Sequence, residues 1–472
     1  MSLYETLAQQ IESMIVNRSL RYGDRLPSVR ALSKSRGVSS TTVLEAFRLL
    51  ESRDLIEARP RSGYYVAFRP DPENYRMEPR GWLDPAAIHL SDTMPQILRE
   101  VGNEKYLNLS AANPDPELLP VKALGRITRE ILRTQGGSIT SYGDPQGAFA
   151  LRRRIVDLML DRGAAVNISD ITITNGCQEA LFLAFSHSVA PDSVVAVETP
   201  CYPGAMQVLD YLNHDVIEIP SHSHTGMDLD SLRKAASTHK ISACYVMPRC
   251  SNPLGSSMPT DSLTELYGLA CEYDFTLVED DTNWGLKFNA NDSPALKSLD
   301  TEQRVIYCSS FSKSIAPALR IGWIIAERAT EEIVETKYTI DMGCVTLPQL
   351  IVARYLAEKR FHKDLARMRV AHADTVQNMV SAIRIHFPSG TTPILPAGGF
   401  TVWTELPETV DGNALRERAL EANISIAPGT IFSSKNQYVN YLRLGWGGHW
   451  RAAVENGLKT LGDLCEEQVK PP

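Results

Sequence analysis

One lysine of the chain stands among small hydroxyl residues and is followed at a short distance by an arginine. The stretch SSFSKSIAPALRIGW covers residues 309–323 and contains Lys313 and, seven positions later, Arg320. A lysine amine is protonated and unreactive in water, and it becomes useful when a carbonyl compound condenses with it. A guanidinium is well suited to bind a phosphate. The stretch therefore points to a carbonyl cofactor that also carries a phosphate.

The other groups that pyridoxal 5'-phosphate needs occur elsewhere in the chain, mostly just after apolar runs. Asp280 ends the run TLVED and is expected to keep a proton on the pyridine nitrogen. Asn252 in SNPLG supplies a donor for the phenolic oxygen, and Tyr202 in TPCYPG supplies an aromatic face for the ring. The expected phosphate ligands are Gly176, Cys177, Gln178, Ser310, Ser312 and Arg320. Each residue alone is most often a turn, a helix cap or a surface group, but their combination predicts a pyridoxal-phosphate site.

Charge is distributed unevenly along the chain. The 472 residues carry a formal net charge of -8, yet residues 1–69 hold 11 Lys and Arg against 7 Asp and Glu. The remaining residues hold 37 Lys and Arg against 49 Asp and Glu. A basic head on an acidic body favours nucleic-acid binding at the head alone.

The cysteines and the first residues indicate where the protein works. Eight cysteines occur without a C-x-x-C pair or a metal-ligand spacing, which predicts free thiols, a reducing compartment and no metal site. His222 and His224 in SHSHTG are interpreted as part of a polar turn. The start MSLYETLAQQIESMIV lacks the continuous apolar stretch of a signal peptide, so we expect a cytoplasmic protein without a membrane span.

The first 67 residues have the pattern of three helices followed by a β-hairpin. The first helix carries apolar residues at three- and four-residue intervals: Leu3, Leu7, Ile11, Met14 and Ile15. A second helix is predicted over 29–35, and a third follows RGVSS with Ser39 or Ser40 as its N-cap. The run DLIEARPRSGYYVA is typical of two short strands around a turn. This order predicts a winged helix-turn-helix.

Beyond residue 67 the chain changes character twice. Residues 68–105 are rich in proline and charge and are interpreted as a linker that ends in one possible helix. From residue 106 onward, short apolar runs alternate with helical segments, which predicts an α/β domain with a largely parallel sheet between helices. From about residue 347, long helices mix with strands such as FTVWTEL and YLRLGW, which predicts a smaller α+β lobe.

These motifs resemble two known families in one chain. YGDPQG, NGCQEAL, SNPLG, VEDD, SFSKSIAPALRIGW and YLRLGW resemble a fold-type I aminotransferase over 106–472, and residues 1–67 resemble a GntR-type winged helix. The combination is similar to the MocR subfamily of transcription regulators. The resemblance implies that Lys313 is the Schiff-base lysine, with Asp280 at the pyridine nitrogen and Arg320 on the phosphate. It also implies a head-to-tail homodimer in which Tyr142 reaches the partner's phosphate, and it assigns Arg443 to the α-carboxylate of an amino acid.

The DNA-binding residues are expected at the start of the third helix and in the wing. In this motif the N-terminal residues of the third helix enter the major groove. The candidates are Ser39, Ser40, Thr41 and Thr42 in the groove, Arg30 and Arg48 on or near the backbone, and Arg61, Ser62, Gly63 and Tyr64 in the wing. The alternative is that the basic head is a solvated face of a packing module.

Two departures from the resembled families bear on function. After EDD the aminotransferases usually have a tyrosine that joins Asn252 at the phenolic oxygen, and here Thr282 stands in that place. Weak or absent transamination is therefore expected. In GVSSTTV, Ser40 stands where an arginine is common, so the operator sequence cannot be carried over from relatives.

The sequence thus predicts a pyridoxal-phosphate-dependent regulator that binds double-stranded DNA as a homodimer. Its aminotransferase-like domain is expected to sense an amino acid or amine through the Lys313 imine. One alternative is a working aminotransferase with an accessory winged helix, against which Thr282 speaks. Another is a repressor that keeps the fold for dimerisation without cofactor, against which the retention of Lys313, Asp280 and Asn252 speaks.

Overall fold

The structure, a computed structural model, describes most of the 472-residue chain. The described residues are 3–16, 20, 24–52, 55–59, 62–66, 82–88, 93–190, 193–289 and 294–469. Arg61 of the expected wing and residues 68–81 and 89–92 of the expected linker lie outside them. The chain divides into an N-terminal unit over Met1–Pro72 and a second unit that holds nearly all of the remaining residues.

The N-terminal unit has the predicted order of three helices and a hairpin. Its elements are α1 (Leu3–Val16), α2 (Val29–Arg36), α3 (Ser40–Ser52), β1 (Ile56–Arg59) and β2 (Gly63–Val66). Ser28 is the N-cap of α2, since its side chain accepts a hydrogen bond from the backbone N–H of Ala31. Gly37 is the C-cap, with a φ of 65°. Phe47 of α3 is fully buried among the helices. The winged helix-turn-helix prediction is confirmed.

The second unit contains the remaining elements in the alternating order that the sequence predicts. Its strands are β3 (Trp82–Ala86), β4 (Leu107–Asn108), β5 (Ile171–Thr174), β6 (Val194–Thr199), β7 (Asp215–His222), β8 (Gly226–Met227), β9 (Ile241–Val246), β10 (Thr276–Asp280), β11 (Val305–Ser310), β12 (Gly322–Ile325), β13 (Thr392–Ile394), β14 (Thr401–Glu405), β15 (Ile424–Ser425), β16 (Ala427–Pro428) and β17 (Tyr441–Gly445). Its helices are α4 (Thr93–Glu100), α5 (Val121–Thr134), α6 (Gly136–Ile139), α7 (Phe149–Leu160), α8 (Cys177–Ser188), α9 (Pro203–Tyr211), α10 (Leu229–Thr238), α11 (Thr260–Tyr273), α12 (Thr330–Asp341), α13 (Thr346–Leu356), α14 (Arg360–His386), α15 (Gly412–Glu421) and α16 (Ala452–Val469).

A mostly parallel sheet organises the larger part of this unit. Its strand order is β3-β7-β6-β9-β10-β11-β12-β5, with β8 paired to β7. The pairs from β7 through β11 are parallel, and β12 is antiparallel to both of its neighbours. Seven strands from β7 to β5 form the predicted sheet, and β3 and β8 extend it at one edge. The predicted fold class is confirmed.

Alternate residues of the central strands pack on opposite faces of the sheet. Val195 and Val197 lie in the apolar cluster that includes α8 and α9, whereas Ala196 between them lies in the cluster that includes α10 and α11. Val278 and Leu277 divide between the two clusters in the same way. Burial on both faces explains why these strands are continuous apolar runs in the sequence.

The smaller lobe begins later in the chain than predicted. Its four-stranded sheet has the order β13-β14-β17-β16 and packs with α14, α15 and α16. The helix α13, which spans the predicted boundary near residue 347, instead contacts α5 and α7. Its residues Ile351, Val352 and Tyr355 belong to the core of the larger part. The small lobe therefore starts within α14, whose first turns still contribute Phe361, Leu365 and Met368 to the same core.

The described part of the expected linker is ordered within the second unit. The strand β3 pairs with the edge strand β7, and the possible helix of the prediction is α4. Pro85 lies in β3, and an edge strand tolerates proline because one side of it needs no backbone donor. Residues 82–88 and 93–100 therefore act as parts of the domain. Of the helices in the described ranges, none has the length and apolar composition needed to cross a membrane.

Candidate functional site

A cavity of about 280 Å³ opens where the parallel strands β6, β9, β10 and β11 end. The carboxyl ends of parallel strands meet at one edge of a sheet, and residues that follow different strands converge there. The predicted residues that line the cavity are Cys177, Gln178, Tyr202, Asn252, Asp280, Ser310, Ser312, Lys313, Arg320 and Arg443. The site residues predicted from separate motifs are thus brought into one pocket.

The amine of Lys313 lies inside this cavity, shortly after β11. It donates a hydrogen bond to the backbone carbonyl of Ala112. Burial of the amine, with Arg443 and Arg320 nearby, lowers the pKa of Lys313 from 10.5 to about 8. About a tenth of the amine is therefore unprotonated at pH 7, far more than for an ordinary lysine, and this fraction is able to attack a carbonyl group.

The carboxylate of Asp280 is buried at the end of β10. Its Oδ1 accepts hydrogen bonds from the backbone N–H (3.0 Å) and the hydroxyl (2.7 Å) of Thr282, and its Oδ2 accepts one from the Tyr245 hydroxyl (3.0 Å). Burial raises the pKa of Asp280, and these hydrogen bonds oppose the rise. No ion pair neutralises Asp280 within the described ranges. A protonated pyridine nitrogen fits such a group.

The structure shows which group the Thr282 side chain contacts. Thr282 stands where the resembled aminotransferases usually have a tyrosine whose hydroxyl joins Asn252 at the phenolic oxygen. Its hydroxyl instead donates to Asp280 at 2.7 Å, because the chain turns directly after β10 and folds this short side chain back onto the carboxylate. Thr282 therefore supports the group expected at the pyridine nitrogen.

The start of α8 forms a cradle with Arg320. Gly176 precedes the helix with a φ of 89°, and a Cβ at this position would lie 2.2 Å from the Arg320 guanidinium. Gly322 is needed for a similar reason, since its Cβ would lie 2.5 Å from the backbone of Gly176. Arg320 donates to the Asn175 carbonyl at 2.8 Å and remains exposed. The helix N-terminus and this cation together fit a phosphate.

The side chain of Gln178 holds Tyr202 in place. Its Nε2 donates to the Gly204 carbonyl at 2.7 Å, and its Oε1 accepts from the Tyr202 hydroxyl at 3.3 Å. Burial raises the pKa of Tyr202, so the ring stays a neutral phenol. The predicted role of Gln178 at the phosphate therefore rests on its backbone N–H near the start of α8, since its amide is used elsewhere.

Arg443 on β17 is a buried cation without a carboxylate partner in the described chain. Its Nη1 donates to Asn252 Oδ1 at 2.9 Å, and its Nη2 donates to the Ser110 carbonyl. Its Nε is buried with no hydrogen-bond acceptor among the described atoms. Burial lowers the pKa of Arg443 to about 10. A buried guanidinium in this state favours an anionic ligand.

The N-terminal unit presents an exposed surface at the start of α3. The Ser39 hydroxyl accepts from the Thr42 backbone N–H at 3.0 Å, which makes Ser39 the N-cap. Ser40 and Thr41 are exposed beside it. Arg48 is exposed further along α3 and pairs with Glu45 at 2.7 Å. Arg30 is exposed in the first turn of α2.

In the wing, the candidates separate into different roles. The Tyr64 ring packs on Phe47 with 4.7 Å between ring centroids, because inward and outward residues alternate along β2. Tyr64 is therefore a packing residue whose side chain is still partly exposed, so its contact with DNA stays a prediction. Ser62 shares a hydrogen bond of 2.6 Å with the Tyr65 hydroxyl, and Gly63 is exposed with a φ of 117°.

Comparison with known proteins relates both units to families. Residues 104–461 match the aminotransferase class I and II family, and residues 3–66 match the gntR family of bacterial regulatory proteins. The chain is 35% identical to the uncharacterized HTH-type transcriptional regulator YjiR of Escherichia coli, over 98% of each chain. It is 27% identical to the HTH-type transcriptional regulator NorG of Staphylococcus aureus, over 88% of this chain and 94% of NorG. This chain belongs to the MocR subfamily of GntR-type transcription regulators.

The second unit of this MocR regulator is similar to solved structures of aminotransferases. The kynurenine aminotransferase of Pyrococcus horikoshii, in complex with PMP, matches with a TM-score of 0.76 and 28% identity, over 81% of this chain and 96% of that one. LysN, the alpha-aminoadipate aminotransferase of Thermus thermophilus, matches with a TM-score of 0.75 and 28% identity, over 80% of this chain and 95% of LysN. Pyridoxal phosphate is the cofactor of this fold, and the buried Asp280, the Lys313 amine and the cradle at Gly176 fit it.

Tyr142 lies away from the cavity that the MocR chain forms by itself. Its side chain is 86% exposed, and it does not line the pocket. The expected contact of Tyr142 with a phosphate belongs to a partner subunit, so it stays a prediction.

Sequence reasoning missed one wall of the MocR pocket. Four apolar residues from α4 and its C-terminal end line the cavity: Met94, Ile97, Leu98 and Val101. Their spacing is helical, so the sequence could have predicted the helix more firmly. Nothing local indicates that this helix reaches residues that come more than 300 positions later in the chain, such as Ile431.

A cluster of possible metal ligands in the MocR chain is neutralised by a lysine. Glu179, Asp341 and Cys344 are the described residues close enough together to hold an ion. The Lys337 ammonium donates to Glu179 at 2.8 Å and to Asp341 at 3.0 Å. An ion pair explains this acidic cluster without a metal. The expected polar turn at His222 contains a contact of 3.5 Å to Asp228.

Proposed function

We propose that this protein is a DNA-binding transcription regulator whose aminotransferase-like domain holds pyridoxal phosphate and senses an amino acid. The observation that carries the proposal is the buried cation of Arg443, which has no carboxylate partner among the described residues and lies in the same cavity as Lys313 and Asp280. An α-amino acid offers a carboxylate that can bind Arg443 and an amine that would lie next to Lys313. The winged helix in the same chain supplies a means of response.

Each residue of the cavity has a distinct task in this proposal. The cofactor, when bound, supplies an aldehyde that Lys313 captures and a ring that withdraws electrons. Asp280 keeps the ring nitrogen protonated, and Thr282 orients that carboxylate through its hydrogen bonds. The N-terminus of α8 and Arg320 bind the phosphate. Arg443 binds the effector's carboxylate in the plane of its two donor nitrogens, as a guanidinium does well.

We infer a head-to-tail homodimer from the surface around Tyr142. Tyr142, Tyr338, Met342 and Val345 are exposed although aromatic or apolar. The loop that carries Tyr142 packs against the start of α13, since a Cβ on Gly143 would lie 2.8 Å from the Thr346 hydroxyl. Several large exposed apolar side chains close to one loop are typical of a protein interface. A second copy of the chain would cover it and receive Tyr142 at its phosphate site.

A working aminotransferase is the second candidate function. It is favoured by the presence of Lys313, Asp280, Asn252 and Arg443 in one cavity. The two functions differ in turnover, because an enzyme typically converts about one or more substrate molecules per second. A regulator binds its amino acid and needs no such rate. Measured turnover between an amino acid and a 2-oxo acid distinguishes the two.

DNA binding by the head should depend on Arg48. We expect Arg48→Ala to weaken binding to all DNA sequences, and to lower the slope of log affinity against log salt by about one, since one phosphate contact is lost. Affinity is measured over a salt series with a fragment selected from random DNA by the full-length protein. Arg153→Ala is the matched control, because Arg153 on α7 is 67% exposed, as Arg48 is 68% exposed. An unchanged slope in Arg48→Ala would remove Arg48 from the interface.

A further inference from the structure

One side of the cavity is apolar and comes from α4. Met94, Ile97 and Leu98 on the helix and Val101 just after it point to one surface by their spacing, and Phe400 lines the cavity as well. Among the described residues, this side contains no ionisable side chain. The other side, with Lys313 and the phosphate cradle, is the one that carries the charged residues.

Every charged residue that lines the described cavity already has a task. These residues are Asp280, Lys313, Arg320 and Arg443. The first three serve the cofactor, and the fourth serves a carboxylate. A second charge on the effector would therefore lie against apolar groups without a partner, and burying an unpaired charge is strongly unfavourable. The cavity thus selects against acidic and basic side chains.

The helix α4 is held firmly enough to act as a wall. Ile97 is 3% exposed and packs in a cluster with Trp403, Ile431 and Phe432 of the small lobe. At the end of the helix, Glu100 is buried and forms an ion pair with Arg416. Met94 near the start of the helix packs against the same cluster, so both ends of the wall are fixed by residues from the C-terminal lobe.

Glu100, which fixes the end of α4, is linked by hydrogen bonds to the region of Arg443, the residue proposed to bind the carboxylate. The Ser425 hydroxyl bonds to Glu100 and lies 2.8 Å from the Ser110 hydroxyl. The carbonyl of the same Ser110 accepts from Arg443. The positions of the apolar wall and of the carboxylate site are therefore set by one hydrogen-bonded chain.

Leu98 differs from its neighbours on the wall because it is largely uncovered. It is 60% exposed, whereas Ile97 beside it is buried. A large apolar side chain that lines a cavity and remains exposed offers surface for a ligand to cover. Leu98 can also be replaced with little effect on packing.

We propose that α4 forms the side-chain subsite of the effector pocket and that the effector is an amino acid with an uncharged, apolar side chain. This inference rests on the proposed sensing function. The carboxylate binds Arg443, the amino group lies near Lys313, and the side chain covers Leu98 and its neighbours. Leucine, methionine and phenylalanine have the required chemistry.

The first test compares amino acids on the cofactor-loaded, full-length protein. The absorbance of the bound cofactor is titrated with leucine, methionine and phenylalanine, and with aspartate, glutamate and lysine. We expect the apolar group to give a half-maximal change at concentrations at least about tenfold lower. An equal or stronger response to aspartate, glutamate or lysine would overturn the subsite and leave amino-acid sensing intact. A silent cofactor with all six would overturn both proposals.

The second test replaces Leu98. Leu98→Asp should weaken the response to leucine at least about tenfold and leave the cofactor absorbance without ligand unchanged, which also shows that the domain is folded. Leu98→Arg should improve the response to glutamate relative to leucine, since it supplies the missing positive charge. Ile385→Asp is the matched control, because Ile385 on α14 is 73% exposed and does not line the cavity. A Leu98→Asp protein with the leucine affinity of the wild type would refute the role of α4.

Discussion

Lys313→Ala protein should fold, bind operator DNA and show none of the absorbance that arises when the cofactor is attached covalently to the wild type. The reason is chemical, since Lys313 is the one lysine that lines the described cavity. Borohydride reduction followed by mass measurement should label the wild type and leave Lys313→Ala unlabelled. Lys313→Arg is the control for charge, because it keeps a cation in the cavity and cannot form the bond.

The same amine predicts how cofactor capture depends on pH. Burial and the nearby Arg443 and Arg320 lower the pKa of Lys313 in the cofactor-free protein from 10.5 to about 8. The unprotonated amine is the attacking form, so the rate of capture should rise with pH and reach half of its plateau near pH 8. Stopped-flow mixing of the cofactor-free protein with pyridoxal phosphate measures this profile. A rate that reaches half of its plateau near pH 10.5 would mean that the cavity does not lower the pKa of Lys313.

Cofactor binding should also stabilise the wild type. A ligand that binds only the folded state at a hundredfold excess over its dissociation constant adds about 2.7 kcal/mol to the free energy of unfolding. The melting temperature of the wild type should therefore rise when pyridoxal phosphate is added, and that of Lys313→Ala should rise less. If Lys313→Ala kept the absorbance of a covalently attached cofactor, and borohydride reduced it, the cofactor would be attached to another residue.

Arg443→Ala should respond to amino acids at least about a hundredfold more weakly than the wild type and keep its bound cofactor. Each hydrogen bond to a charged group contributes about 1.5–3 kcal/mol, and a carboxylate on Arg443 can accept two. Arg443→Lys should recover part of the loss, because an ammonium keeps the charge without the planar pair of donors. The measurement is an absorbance titration with the effector.

A ligand without the carboxylate provides the sharper control. The amine formally derived from the effector by loss of its carboxylate cannot use Arg443, so the wild type and Arg443→Ala should bind it about equally. If Arg443→Ala loses the amine as severely as the amino acid, the substitution has damaged the cavity in another way. If it loses neither, Arg443 does not bind the carboxylate.

The cavity could be predicted from the sequence because its chemistry follows the strands. Lys313, Asp280, Asn252 and Tyr202 each come shortly after an apolar run, and the ends of neighbouring parallel strands must meet. Pattern and topology therefore suffice to bring them together. The winged helix was predictable for a related reason, since its helices are short, local and amphipathic.

The residues that prediction missed or misplaced depend on long-range or fine local geometry. Ile97 packs beside Trp403, and no local pattern encodes a contact between positions so far apart. The run that contains Pro85 looks like a linker because a single edge strand carries little apolar periodicity. The contacts of Thr282 with Asp280 and of Tyr64 with Phe47 were not predicted, since the direction of one side chain in a turn or hairpin is set by the backbone around it.

The affinity of the cofactor-loaded, full-length protein for its selected operator, with and without effector, tests the central claim most directly. The effector is the amino acid that changes the cofactor absorbance at the lowest concentration. A coupling of about 1–3 kcal/mol predicts that saturating effector changes operator affinity by about fivefold or more, in either direction, and that Arg443→Ala shows no change at the same concentration. An operator affinity that is identical with and without an amino acid that saturates the cavity would contradict the account.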